Sequence, residues 1–339
     1  MDDELTNRRG LMRGIGRELT RRAREAATAH AQLRDQLGSL SSPGPGESPG
    51  QVEDVASGLD EAGTFVPAQL TERCATYEEL LELADGYGLG HRRDAVREHC
   101  RVSVRLKLSG ANEAAAWPPL DAWPSWKRAP LSLLLALELA ELAAVCPHAE
   151  LPAAGTLCVF GATGDSPSGL TLEDAGRCQL VLTEEPVRGC PAVEASGELT
   201  LPRVWSDSVD ALGLSSDEQE AWEQLRLSLA ELQGVRAFDA ESVPRAIHRL
   251  LGWPDERDGW MPLACALGEE GIELAGEVPA LHPRAQEFGS RAGEWRLLLQ
   301  LTEEPGLGWV WGGKGRLYVW IRERDLASGE FGRVRAFVP

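Results

Sequence analysis

The residues best suited to do chemistry lie in one short run, His248-Arg249-Leu250-Leu251-Gly252-Trp253-Pro254-Asp255. An imidazole beside a carboxylate is a minimal proton-transfer unit near neutral pH, because the carboxylate sets the ring's tautomer and raises its proton affinity. His248 and Asp255 are therefore the candidate acid/base pair, with Glu256 directly after them. The competing account is that His248 caps or packs a helix ending at Gly252, with Leu250 and Leu251 in the core. His30, His91, His99, His148 and His282 show no ligand spacing, so the sequence points to no metal centre and no cofactor.

A second set is aromatic. The chain holds 11 Trp against 6 Phe and 3 Tyr, with Trp117, Trp123 and Trp126 among prolines and Trp253 and Trp311 in or beside the richest motifs. Rigid aromatics interleaved with Pro and Gly can line a groove for a peptide or flat ligand, and they can equally serve as core and loop anchors. Gln300 interrupts an apolar strand and is either outward on an edge or a buried amide with a partner. Gly312-Gly313-Lys314-Gly315 has the look of a phosphate cradle but feeds a Leu-Tyr-Val-Trp strand where a P-loop would open a helix, so it reads as a hairpin turn. No G-x-S-x-G, G-x-x-x-x-G-K-[ST] or H-E-x-x-H pattern occurs.

Composition bounds these options. The 339 residues carry 34 Lys+Arg against 53 Asp+Glu, a formal charge of −19, which disfavours nucleic acid and anionic membrane surfaces as partners of the main body. Seven cysteines without a C-x-x-C pair read as reduced thiols in a cytoplasm. The longest apolar runs, Leu133 to Leu137 among them, are far short of the ~20 residues of a membrane span.

The charge is not evenly spread. Arg8, Arg9, Arg13, Arg17, Arg21, Arg22, Arg24 and Arg34 face only Glu18 and Glu25, so residues 8–34 carry +6; removing that from −19 leaves −25 on everything else. Apolar residues recur there at spacings of three and four, which predicts a basic amphipathic helix over 1–38 able to dock on a partner. Its Arg8-Arg9 opening is similar to a twin-arginine export signal, but no apolar core follows.

Residues 39–66, containing SSPGPGESPG, read as a flexible linker. Residues 67–101 read as a helical hairpin, with Thr76 and Glu79 forming a capping box. From Val102 the alternation Val-Ser-Val-Arg-Leu-Lys-Leu predicts a half-buried strand, and Cys178–Leu182 and Gly197–Leu201 are further strand candidates. Trp222, Leu225, Leu229 and Leu232 share one face of a predicted acidic helix over Ser215–Gln233.

Two distant pieces resemble each other. Pro130–Leu137 leads to Gly155-Thr156-Leu157-Cys158-Val159-Phe160, and Trp295–Leu301 leads to Gly315-Arg316-Leu317-Tyr318-Val319-Trp320. Each is an apolar strand, a connection, a glycine turn and a strand of the form Gly-x-Leu-x-Val-aromatic. This predicts an α+β fold over 102–339 built as two related halves.

At these residues the chain resembles the YwqG-like family of bacterial proteins. The Trp311–Leu326 string is similar to that family's C-terminal signature, and His248–Asp255 to its His-x-Leu-Leu-Gly-Tyr-Pro motif. The resemblance, over roughly 102–338, implies an internally duplicated α+β domain and brings no activity with it. Leu108–Glu113 lacks the family's Gly-Gly-x-Pro segment.

The sequence thus leads to a non-catalytic cytoplasmic binding or accessory protein. It would engage a protein or peptide partner, with Arg8, Arg9 and Arg13 on the docking helix and Trp117, Trp123, Trp126, Trp253 and Trp311 as candidate binding residues. The alternatives are an enzyme acting on a small polar or peptide substrate through His248 and Asp255, and an immunity-type or maturation-factor role.

Overall fold

The computed structural model describes residues 74–110, 123–147, 150–163, 176–184, 187, 190–235, 247–255, 259–274, 279–311 and 315–338. The chain divides between Gln69 and Leu70, and every described residue belongs to the second unit. The basic segment with Arg8, Arg9 and Arg13, the 39–66 linker, Trp117 and the turn at Gly312–Lys314 lie outside the described residues.

The architecture is α+β. Six antiparallel strands form the main sheet in the order β11-β10-β9-β8-β1-β7. They are β1 (Arg101–Ser109), β7 (Ala192–Thr200), β8 (His248–Leu251), β9 (Trp295–Thr302), β10 (Arg316–Arg322) and β11 (Arg335–Phe337). A second sheet of three strands, ordered β4-β5-β6, comprises β4 (Ser132–Glu138), β5 (Thr156–Gly161) and β6 (Cys178–Thr183). β2 (Ser125–Trp126) and β3 (Ala129–Pro130) make a hairpin whose two turn residues, Lys127 and Arg128, have positive φ, as a type I′ turn requires.

The two resembling segments become two antiparallel hairpins in different sheets, β4/β5 and β9/β10. Their shared pattern has a common physical use. Leu157 and Val159 of one, and Leu317 and Val319 of the other, enter the same apolar cluster with Val104, Leu106, Leu250 and Leu299 of the main sheet. The residues between them point away from it. Cys158 and Phe160 pack under Trp123, and Tyr318 and Trp320 pack under α6 (Met261–Glu269) and α7 (Ala285–Ala292). Period-two side-chain direction thus lets one motif serve two layers at once.

Three further helices pack at the β7 edge of the main sheet. α1 (Tyr77–Gly86) starts at Thr76, whose hydroxyl accepts from the Glu79 N–H while the Glu79 carboxylate accepts from the Thr76 N–H. α2 (Arg93–His99) follows, and α5 (Ser216–Leu232) repeats the same reciprocal cap with Ser215 and Glu218. Trp222, Leu225 and Leu229 of α5 bury against α1, α2, Leu199 and Leu201. The short helices α3 (Leu139–Val145), α4 (Asp207–Asp210) and α8 (Glu323–Ala327) complete the set used below.

Gln233, just past α5, fastens this helical layer to the sheet edge. Its Oε1 accepts from the Leu199 and Ala75 N–H groups, and its Nε2 donates to the Leu199 and Leu229 carbonyls. One buried amide thereby satisfies both outward backbone groups of Leu199 on the edge strand.

Leu157→Ala and Leu317→Ala, each opening a void between the sheets, are expected to destabilise by about 2–5 kcal/mol. Urea unfolding followed by tryptophan fluorescence measures this; a loss below about 1 kcal/mol at both would show that the sheets do not share one close-packed core.

Candidate functional site

The sheet alternation of β1 holds, but Ser103 and Arg105 on its polar face turn away from water. Ser103 and Glu198 are opposite each other on β1 and β7, and Arg105 is opposite Arg249 on β1 and β8. Glu198 is 1% exposed and Arg249 is 6% exposed. The Glu198 carboxylate accepts from Arg249 Nε at 2.6 Å, from Arg105 Nε at 3.2 Å and from the Ser103 hydroxyl at 3.1 Å. Arg105 also donates through Nη2 to the Gln233 carbonyl.

The run His248–Asp255 builds the next layer of this network. It opens as strand β8 where a helix ending at Gly252 was one expectation, because His248–Leu251 is held between β1 and β9 and tertiary pairing decides a run this short. Leu251 and Gly252 then take φ of +61° and +76°. A Cβ at Gly252 would meet Ser103 Cβ at 2.6 Å and Thr200 Oγ1 at 2.7 Å, so the position demands glycine. This left-handed pair reverses the chain over the sheet. Arg249 Nη1 donates to the Trp253 carbonyl at 2.8 Å and lies 3.4 Å from Asp255 Oδ2.

Gln300 resolves the open question about its place. It is fully buried, opposite both Arg249 and Tyr318, and its amide forms a two-way contact with Asp255. Gln300 Oε1 accepts from the Asp255 N–H at 2.9 Å and Nε2 donates to Oδ2 at 3.1 Å. Burial pushes the Asp255 carboxyl up, but Arg249, Arg316, Arg203 and Arg226 more than offset this and hold it well below the usual carboxylate range. Burial likewise opposes the Arg249 charge, and Glu198 and Asp255 overcome it. Asp255 is therefore a fixed anion and a poor proton acceptor.

His248 faces the other side of the sheet, since adjacent strand residues point oppositely. The structure accordingly does not bring His248 and Asp255 together. The imidazole's carboxylate is Glu304, with Nε2 to Oε1 at 3.1 Å, while Nδ1 accepts from the Thr302 N–H at 3.2 Å. The backbone donor fixes the tautomer, so the Nε2–H donates to Glu304. Trp309 stands edge-on to the ring, 6.1 Å between centroids. Burial pushes the imidazole's proton affinity down, with Glu304 opposing that shift.

The candidate tryptophans occupy three separate settings. Trp123 donates to the Leu131 carbonyl and meets Phe160 edge-on, while Trp126 lies beneath Lys127 and Arg177. Trp253 is held by its indole N–H on the His99 carbonyl at 2.7 Å, by its backbone N–H on Thr200, and by Arg101 stacked 3.6 Å from its ring centroid. Trp311 is buried between the sheets beside Trp309.

All seven cysteines are free thiols, and burial pushes Cys100, Cys158 and Cys178 up to about 12, which makes them weak nucleophiles at neutral pH. Among the described residues no group of three or more His, Cys, Asp or Glu could hold a metal ion, and no helix is long and apolar enough to cross a membrane.

Sequence reasoning missed Glu198, Arg105 and Arg249. The available signal was the strand reading of His248–Leu251, which sends Arg249 to the face opposite His248 and next to the polar positions of β1.

Two outcomes test this geometry. Glu198→Gln strands Arg249 and Arg105 in a buried site and is expected to cost about 3–5 kcal/mol in chemical denaturation; a cost within 0.5 kcal/mol of zero would contradict the network. His248 has its folded proton affinity lowered, so its contribution to stability is complete above the unfolded value of ~6.5 and is lost as pH falls below it. The thermal midpoint should therefore drop between pH 7 and pH 5 in the wild type and drop less in His248→Gln; parallel curves would contradict the assignment.

Comparison with curated proteins gives no match. A family model does match, over residues 107–338, a span that runs from the end of β1 through β11 and includes Glu198, Arg249, Asp255 and Gln300. The chain belongs to the family described as a domain of unknown function, DUF1963.

Proposed function

We propose that this protein is a non-catalytic binding or accessory protein of the bacterial cytoplasm that engages a protein or peptide partner, with residues 1–38 as its docking element. The observation that carries this reading is the state of the two groups best placed for acid/base work. His248 has one ring nitrogen on a backbone N–H and the other on Glu304, and Asp255 is pinned as an anion by Arg249 and Gln300. Neither can exchange a proton with a substrate without breaking bonds that hold the sheet together.

Charge polarity supports the docking half of the proposal. Within that element residues 8–34 carry +6 against −25 on everything else, so this stretch can hold an acidic partner by electrostatic attraction. The YwqG-like resemblance of the His248–Asp255 and Trp311–Leu326 motifs adds a bacterial setting and no reaction.

The test compares the full chain with a variant lacking residues 1–38, each used to capture partners from a native-host lysate at low and high salt. Docking through the basic segment predicts partners retained by the full chain at low salt, released above about 0.5 M salt where screening is strong, and absent from the shortened chain. Equal capture by both chains would refute the docking role. A turnover abolished by His248→Gln in a protein of unchanged fold would refute the non-catalytic reading.

A further inference from the structure

β7 ends the main sheet and is paired with β1 on one side only. The pairing runs from Arg101 opposite Thr200 to Ser109 opposite Ala192 without a register shift. In an unbroken antiparallel ladder every second residue turns both backbone groups away from its partner strand. Gln233 marks which residues these are, since it binds the N–H and the carbonyl of Leu199. The outward set is therefore Leu199, Gly197, Ala195 and Val193.

The helical layer covers this edge only at its Leu199 end. Among the described residues no hydrogen bond reaches the outward N–H or carbonyl of Val193, Ala195 or Gly197. These three are partly exposed, whereas Glu198, Leu199 and Thr200 are buried. Sheet edges are ordinarily protected by brevity, by proline or by a bulge. The strand at the other end of the sheet, β11, has three residues; β7 has nine, with neither proline nor bulge.

Gln233 also shows what the edge takes. Its side-chain amide sits on Leu199 as a peptide group of a neighbouring strand would, with Oε1 accepting at 2.7 Å and Nε2 donating at 2.9 Å. An extended peptide can repeat that pair of bonds at Gly197, Ala195 and Val193. On one face its side chains would lie beside Val193 and Ala195, which pack against the apolar core. On the other they would lie beside Glu194, whose side chain is 74% exposed and meets the equally solvated Lys107 at 3.6 Å. Apolar contacts and opposite charges are the favourable pairs across neighbouring strands. A second copy of a chain carrying −19 would instead bring like charge to like.

We propose that the outer edge of β7 from Val193 to Gly197 binds an extended partner peptide that alternates basic and apolar residues and joins the main sheet as an added strand. This rests on the reading of the protein as one that engages a protein or peptide partner, and it places a second contact on the body, separate from residues 1–38.

The probe is a fluorescein-labelled peptide of about seven residues alternating Lys and Val, titrated into the full chain and followed by anisotropy, with residue-resolved amide hydrogen exchange read before and after. In the free chain the Val193, Ala195 and Gly197 amides should exchange fast and those of Glu194, Ser196 and Glu198 slowly; the probe should slow the first three. Ala195→Pro removes one outward N–H without touching the β1 ladder and should weaken binding about tenfold or more. The same peptide N-methylated at every residue keeps charge and side chains and loses its donors, and should bind no better than background; it carries the test alone if Ala195→Pro fails to fold. A counterpart with Glu in place of Lys should bind about tenfold more weakly or worse.

Protection of the three amides in the free chain would show the edge already occupied, by a second copy or by another part of the chain, and would overturn the proposal. Equal binding of the N-methylated peptide, or of the probe by folded Ala195→Pro, would overturn strand addition, and equal binding of the Glu counterpart would overturn the basic partner. The probe is a free peptide, so loss of docking through residues 1–38 leaves this result standing, and failure here leaves the docking test intact.

Discussion

The Glu198 carboxylate, buried on β7, holds three adjacent strands by their side chains. It takes Arg249 Nε from β8 and Arg105 Nε and the Ser103 hydroxyl from β1, so β7, β1 and β8 are tied across one face. Removing a carboxylate from water costs several kcal/mol, and the pair is tolerable only because its oxygens are so fully engaged. Once Arg249 is fixed in this way, its other nitrogens face the Trp253 carbonyl and Asp255, which the reversal at Leu251–Gly252 brings back over the sheet. A left-handed leucine is strained by roughly 1–2 kcal/mol, and the network it completes is what holds it there.

The same constraint explains why the main sheet has two unlike faces. One face is apolar and packs Leu250, Leu299, Val319 and Leu317 against Leu157 and Val159 of the smaller sheet. The other carries charge at its centre and an apolar cluster to one side of it, under α6 and α7. Charge in such a layer gives register more than it gives stability, because a one-residue slip of β8 would exchange Arg249 with Leu250 and bury an unpaired guanidinium among leucines. His248, on the apolar face, plays a matching part at the end of the β8/β9 ladder. Its Nδ1 and the Thr302 hydroxyl take over the backbone groups that the ladder leaves at Thr302 and Ile247.

Much of the fold was legible along the chain, and the misses share a cause. The two capping boxes, the acidic helix with Trp222, Leu225 and Leu229, and strands β1, β6, β9 and β10 follow from short-range rules that act within a few residues. His248–Leu251 defeats those rules, since four residues carry too little period to tell strand from helix and the neighbours β1 and β9 decide. Arg105 and Lys107 show the same limit. Both occupy polar positions of one alternating strand, yet Lys107 is exposed and Arg105 reaches a buried carboxylate 93 residues away. A polar position in an alternating pattern marks a face, and only the layer packed on that face determines whether water or another charge lies there.

The sequence by itself determined that the chain is acidic with one basic segment, that its body is α+β, and that a Leu-x-Val hairpin occurs twice. These are properties of composition and of period, which each residue carries wherever it sits. The tertiary structure alone decided that His248 and Asp255 part to opposite faces and that Gln300 turns inward to grip Asp255. The reason is electrostatic as much as steric. A charge's partner, and so its chemistry, is set by what lies within about 4 Å of it in space, and for Glu198 and Arg249 that neighbour is 51 residues away in the chain.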